Sequence, residues 1–201
     1  MSRVLGVAGI VGGAVLLAAF VIEIPPDLNT LRLVLFLVGA IAVIVGIQRR
    51  QASDSTAIGW AIAVIAVGAT ALYLLRLVLP YSPWHPFAGD NGMVFFLSGV
   101  AMWLMDAAFG LMTLRLGVVR RWGPLALAIG SALAILGIDR LGLTSEANPT
   151  IFGSLALAGL ALNGLAWILL GVELFRPERL PVTPGPVRDS SREPPPVSAL
   201  T

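Results

Sequence analysis

Long apolar runs and short polar breaks alternate along the chain. The apolar runs cover residues 4–22, 31–47, 57–79, 93–114, 125–138 and 151–172. A helix rises about 1.5 Å per residue and the hydrocarbon core of a bilayer is about 30 Å thick, so runs of this length predict transmembrane helices. The expected fold is all-α: a polytopic membrane protein whose residues 1–176 form a bundle of six transmembrane helices.

The breaks support this division. Residues 23–30 hold a Pro25-Pro26 break, and 48–56 form a tight polar loop. Pro80, Pro83 and Pro86 exclude a regular helix from the 80–92 loop. A basic turn spans 115–122, and Asn148-Pro149 reads as a helix start. Residues 177–201 are rich in Pro, Ser, Arg, Asp and Glu. They cannot bury enough apolar surface to fold and are expected to be a disordered tail. Because Arg3 precedes the first run, a cleaved signal peptide competes with an uncleaved span. The end of that run, Ala18-Ala19-Phe20-Val21, has no small-x-small cleavage site, which favours the uncleaved span. Gly9 and Gly13 in it permit close helix approach, or reflect only how common glycine is in membrane helices.

Composition removes the soluble alternative. The chain is 57% hydrophobic and 12% charged, with a mean hydropathy of +0.91, too little polar surface for water to solvate. Cysteine and lysine are absent, and His85 is the one histidine. All 13 basic residues are arginine, and with abundant Ala, Gly and Pro this usage associates with GC-rich bacterial genomes. No basic run is interleaved with exposed aromatics, so no nucleic-acid partner is expected.

Charge then sets the orientation. With six spans both termini share one side. Arg3, Arg49, Arg50, Arg115, Arg120, Arg121, Arg176, Arg179, Arg188 and Arg192 lie there, against Arg32, Arg76 and Arg140 on the other. The positive-inside rule places both termini in the cytoplasm of a bacterial inner membrane. The acidic residues divide evenly and do not bear on this. Arg76, one turn from the end of its span, can snorkel to the nearby interface.

The polar residues within the spans are the candidate chemistry. Asp106 lies 20 Å deep at about 1.5 Å per residue from the outer end of the fourth span. A charged carboxylate facing lipid there costs about 2.5 kcal/mol or more, so it is expected to face helices or water. Gly99, Met102, Gly110 and Thr113 share its face, while Leu97, Leu104 and Leu111 suit lipid. Asn163 in the sixth span and Ser131 in the fifth fall at similar depth, so Asp106, Asn163 and Ser131 are the expected polar cluster. It is either a proton or cation site, or hydrogen-bonded glue between helices. In the 80–92 loop, Tyr81, Trp84, His85 and Phe87 suit either anchoring at the headgroups or a surface for a partner or lid.

Several activities lack their residues. A retinal Schiff base needs a lysine, and bis-histidine haem ligation needs two histidines. Histidine-ligated zinc fails likewise. A serine protease in the membrane lacks a base, and an aspartyl one lacks a second buried aspartate, since Asp139 sits at the boundary. No glycine-rich phosphate loop follows a strand. A non-enzymatic protein with no cofactor and no metal is expected. Arginine-dependent chemistry on lipid head groups remains the one open enzymatic route.

The stretch Leu114-Arg-Leu-Gly-Val-Val-Arg-Arg-Trp-Gly-Pro-Leu-Ala-Leu-Ala-Ile-Gly130 resembles a turn of small bacterial membrane proteins grouped as domains of unknown function. The close of the last span, Gly171-Val-Glu-Leu-Phe-Arg176, is similar to theirs as well. The resemblance implies about six helices and carries no activity and no site residues. The leading expectation is an accessory subunit of a membrane complex, packing against a membrane-protein partner or itself. The alternative is a small carrier or channel for protons or a small solute, built around Asp106.

Overall fold

The computed structural model describes residues 2–18, 20–22, 26–78, 91–142 and 149–177. They form α1 (Ser2–Ala18), α2 (Pro26–Arg50), α3 (Ala57–Val78), α4 (Asn91–Leu116), α5 (Trp122–Gly142) and α6 (Pro149–Glu173). No strand occurs among the described residues. Thr30–Arg50, Ala57–Leu75, Leu97–Leu116 and Ser154–Glu173 are long and apolar enough to cross a membrane. Ser2–Ala18 and Trp122–Gly137 are apolar and shorter. The 80–92 loop and the tail lie outside the described residues, apart from Asn91 and Gly92 at the start of α4 and Pro177 after α6. Most helix ends lie a few residues from those of the apolar runs, and the widest difference is at the start of α2. Residues 26–30 belong to α2 rather than to a polar link. A first-turn proline has no N–H that the helix needs and a φ already set for it, so Pro26 starts the helix.

The helices form a ring. Each packs on its neighbours in the chain, α6 closes onto α1, and α2 also reaches α6. The ring is filled. Phe36 of α2 meets Trp103 of α4 with centroids 6.3 Å apart and planes tilted by 35°. Ile44, Phe109, Leu127, Trp167 and Leu170 are fully buried around them. The outside is as apolar as the inside, and a few polar side chains are buried among the apolar ones. Thr70, Ser98, Asp106, Thr113, Ser131 and Asn163 are buried, while Val7, Val64, Leu104, Leu136 and Leu157 stand exposed on the outside. An outer surface of this kind is consistent with a lipid solvent.

Lipid supplies no hydrophobic drive for helices to associate, so contact rests on close packing. Glycines provide it in a regular register. A Cβ on Gly6 would lie 2.7 Å from the carbonyl oxygen of Gly171, and one on Gly171 the same distance from that of Gly6. Seven residues along α1 and seven back along α6, Gly13 faces Gly164. The α5–α6 seam repeats the device: Gly123, Gly130 and Gly137 face Leu170, Asn163 and Ala156. At such separations Cα–H groups meet carbonyl oxygens across the interface.

Gly159→Ala tests this seam, because its Cβ would sit 2.5 Å from the Ala134 nitrogen and 2.8 Å from the Gly130 oxygen. Thermal unfolding in mild detergent should show a loss of about 1–3 kcal/mol. Gly68→Ala, whose Cβ meets nothing within 4 Å, should be neutral or stabilising by up to about 1 kcal/mol. Equal shifts for the two would refute the close-packing account.

Candidate functional site

Asp106 sits on the inward face of α4. Met102, Phe109 and Thr113 follow the same helical stripe and are buried with it, whereas Leu97, Leu104 and Leu111 are each more than half exposed. Asp106 itself is 2% exposed, and its Oδ1 is buried with no hydrogen-bond partner. Thr113 Oγ1, two turns further along, and the Trp167 Nε1 of α6 are in the same condition. A buried carboxyl oxygen with no donor opposite is a place where a proton or cation can be received.

Asn163 and Ser131 come together across the α5–α6 seam. The Ser131 hydroxyl donates to Asn163 Oδ1 at 3.2 Å, and Asn163 Nδ2 donates to the Gly159 carbonyl of its own helix at 3.0 Å. Gly130 makes room for this pair, since a Cβ there would stand 2.9 Å from Asn163 Nδ2. Asp106 is hydrogen-bonded to neither. Its helix packs between α3 and α5, while α6 packs between α5 and α1. The three residues thus form a bonded pair and a separate acid. Tyr81, Trp84, His85 and Phe87 lie outside the described residues. No group of three or more metal-ligating side chains occurs among the described residues.

The arginine-rich end carries contacts that the sequence reading missed. In the last turn of α2, Arg50 donates from Nη1 to the Glu173 carbonyl, and from Nη2 to those of Leu174 (2.8 Å) and Arg176. The final carbonyls of a helix lack intrahelical donors and carry partial negative charge, so one guanidinium both satisfies and neutralises the end of α6. Arg176 pairs with Glu173 at 2.6 Å. Beside them, Gln51 Nε2 donates to Gln48 Oε1 at 2.8 Å and Gln48 Nε2 to Ser55 Oγ at 3.2 Å, bracing the α2–α3 turn. Arg121 lies over the Trp122 ring, 5.3 Å from its centroid. The available signal for the Arg50 cap was a basic residue in the last turn of a helix, which marks an end to be capped but not whose end.

Asn163→Ala should cost about 1 kcal/mol of stability in detergent, the usual worth of a hydrogen bond between membrane helices. Ser131→Ala should cost a similar amount, and the double variant less than the sum, because either change removes the same bond. Strict additivity would show that the pair is not coupled. Comparison of the chain with protein families, curated proteins and solved structures returned no match, so the functional reading rests on the geometry and chemistry of these residues.

Proposed function

We propose that this chain is an integral protein of a bacterial inner membrane, with six spans and both termini cytoplasmic. It acts as a non-enzymatic accessory subunit that packs against a membrane-protein partner or a second copy of itself. The observation that carries this reading is the filling of the ring. Large side chains occupy the middle, with Phe36 on Trp103 and Trp167 fully buried. Ser131, Asn163 and Thr70 spend their polar groups on internal bonds. What is left to offer is the outer surface, the basic end, the 80–92 loop and the tail. The orientation is supported by Arg3, Arg49, Arg50, Arg120 and Arg176, which line cavities at one end of the ring.

The second reading is a carrier for protons or a small solute. The buried, unpartnered Oδ1 of Asp106 favours it. A bond that merely glues helices would have a partner for that atom.

A reporter fused after residue 201 should be active only if it is one that works in the cytoplasm. Activity of a periplasmic reporter there would overturn the orientation. Asp106→Asn separates the two functional readings. An accessory subunit should fold and retain its partner on native purification in mild detergent, because the amide keeps the shape of the acid and Oδ1 has no bond to lose. A carrier should fold normally but lose pH-driven flux in proteoliposomes. A wild-type chain that purifies alone and conducts protons would sink the accessory reading.

A further inference from the structure

Two cavities open at the arginine-rich end. The larger, about 750 Å³, lies between the end of α2 with its turn, the α4–α5 turn and the end of α6. Arg49, Arg50, Arg120 and Arg176 line it, against the acids Asp54 and Glu173. Four positive groups face two negative ones; the pair of Arg176 with Glu173 joins one of each, and the lining keeps a net positive charge while the other N–H groups of Arg176 stay available. The smaller cavity, about 400 Å³, adds Arg3 and shares Arg50 and Arg176 with the larger.

The walls are built rather than incidental. Gly117, with φ +66°, ends α4 in a left-handed cap whose N–H donates to the Thr113 carbonyl at 3.2 Å. Val119 then plugs into the core at 8% exposure, which leaves the next residue, Arg120, at the cavity wall. Across the cavity, the Arg50 guanidinium holds the last turn of α6 and so positions Arg176. Arg50 also removes the negative character of that helix end, which would otherwise repel an anion.

The lining also limits the occupant. Leu116 and Val118 are apolar lips among the arginines, suited to a group that is charged at one end and glyceryl or acyl at the other. Trp122 and Phe175 stand exposed at the same end, where aromatic rings collect at the headgroup level of a bilayer. An excess of arginine disfavours headgroups that carry an amine and favours a net anion.

We infer that the larger cavity is a binding site for the phosphate-bearing headgroup of an anionic phospholipid, with Arg120 and Arg176 as its phosphate donors. The inference rests on the membrane reading above, and the shared chemistry would also suit a free phosphate.

The test is native mass spectrometry of the full chain in mild detergent with equal amounts of phosphatidylglycerol and phosphatidylcholine. The wild type should retain one phosphatidylglycerol in preference to phosphatidylcholine. Arg120→Gln with Arg176→Gln should weaken retention about thirtyfold, or about fivefold for each arginine. Arg115→Gln with Arg121→Gln removes the same charge from the same end but touches neither cavity, and should change retention less than twofold. Equal losses in the two double variants would mean diffuse surface charge and overturn the site. Lack of lipid preference in the wild type would do the same. If inorganic phosphate at the same phosphate concentration displaces the lipid, the occupant is a soluble anion and the lipid assignment falls. Should the double variant unfold, Arg120→Gln alone, on an exposed turn residue, carries the test through its fivefold loss. An alkaline wash that strips the chain from membranes would overturn the membrane reading and this one together. A chain that resists the wash yet shows no preference overturns this one alone.

Discussion

Everything in this molecule depends on how closely α6 can approach the helices on either side of it. At Gly6 and Gly171 two backbones meet with no side chain between them, and at Gly130 and Gly159 the same happens on the other flank. In a lipid solvent, apolar side chains gain little by leaving the bilayer for a helix interface, so contact area and backbone proximity decide association. Put a methyl group at these points and α6 moves outward. The α1–α6 seam then opens, and with it the closure of the ring.

The second constraint is electrostatic and belongs to one end. Helix ends that are short of donors are tolerable in water but awkward near a membrane surface, where hydration is partial. Arg50 meets that need for α6 from another helix, and Gly117 meets it for α4 from within. Both solutions also fix neighbouring charges in place. A basic end whose arginines are held by caps and turns differs from a fringe of loosely hanging cations, because it has a shape as well as a charge.

Much of the helical architecture was legible in the sequence. Apolar length alone marks the long helices, and the inward and outward faces of α4 follow from the contrast between Asp106 and Leu97, Leu104 and Leu111. Three features were not legible, for physical reasons. Pro26 reads as a break until one asks whether its missing N–H would have had a partner. Depth along a helix says how far Asp106 and Asn163 lie from the surface but not which helices are neighbours, so residues at matched depth sit on helices that do not pack together. The Arg50 contacts join residues more than 120 positions apart, and no local pattern encodes them. The seven-residue glycine spacing on α1, α5 and α6 was a signal within reach, since it repeats at the interval that returns a helix to one face.

The closure of the ring between its first and last helices also dictates an order of events. A chain made from its N-terminus completes α1 well before α6 exists. Until then Gly6 and Gly13 have nothing opposite them, and α1 can lean only on α2. The seam that closes the ring cannot form until synthesis has passed Gly171, and until then the glycine-lined face of α1 toward α6 has no partner.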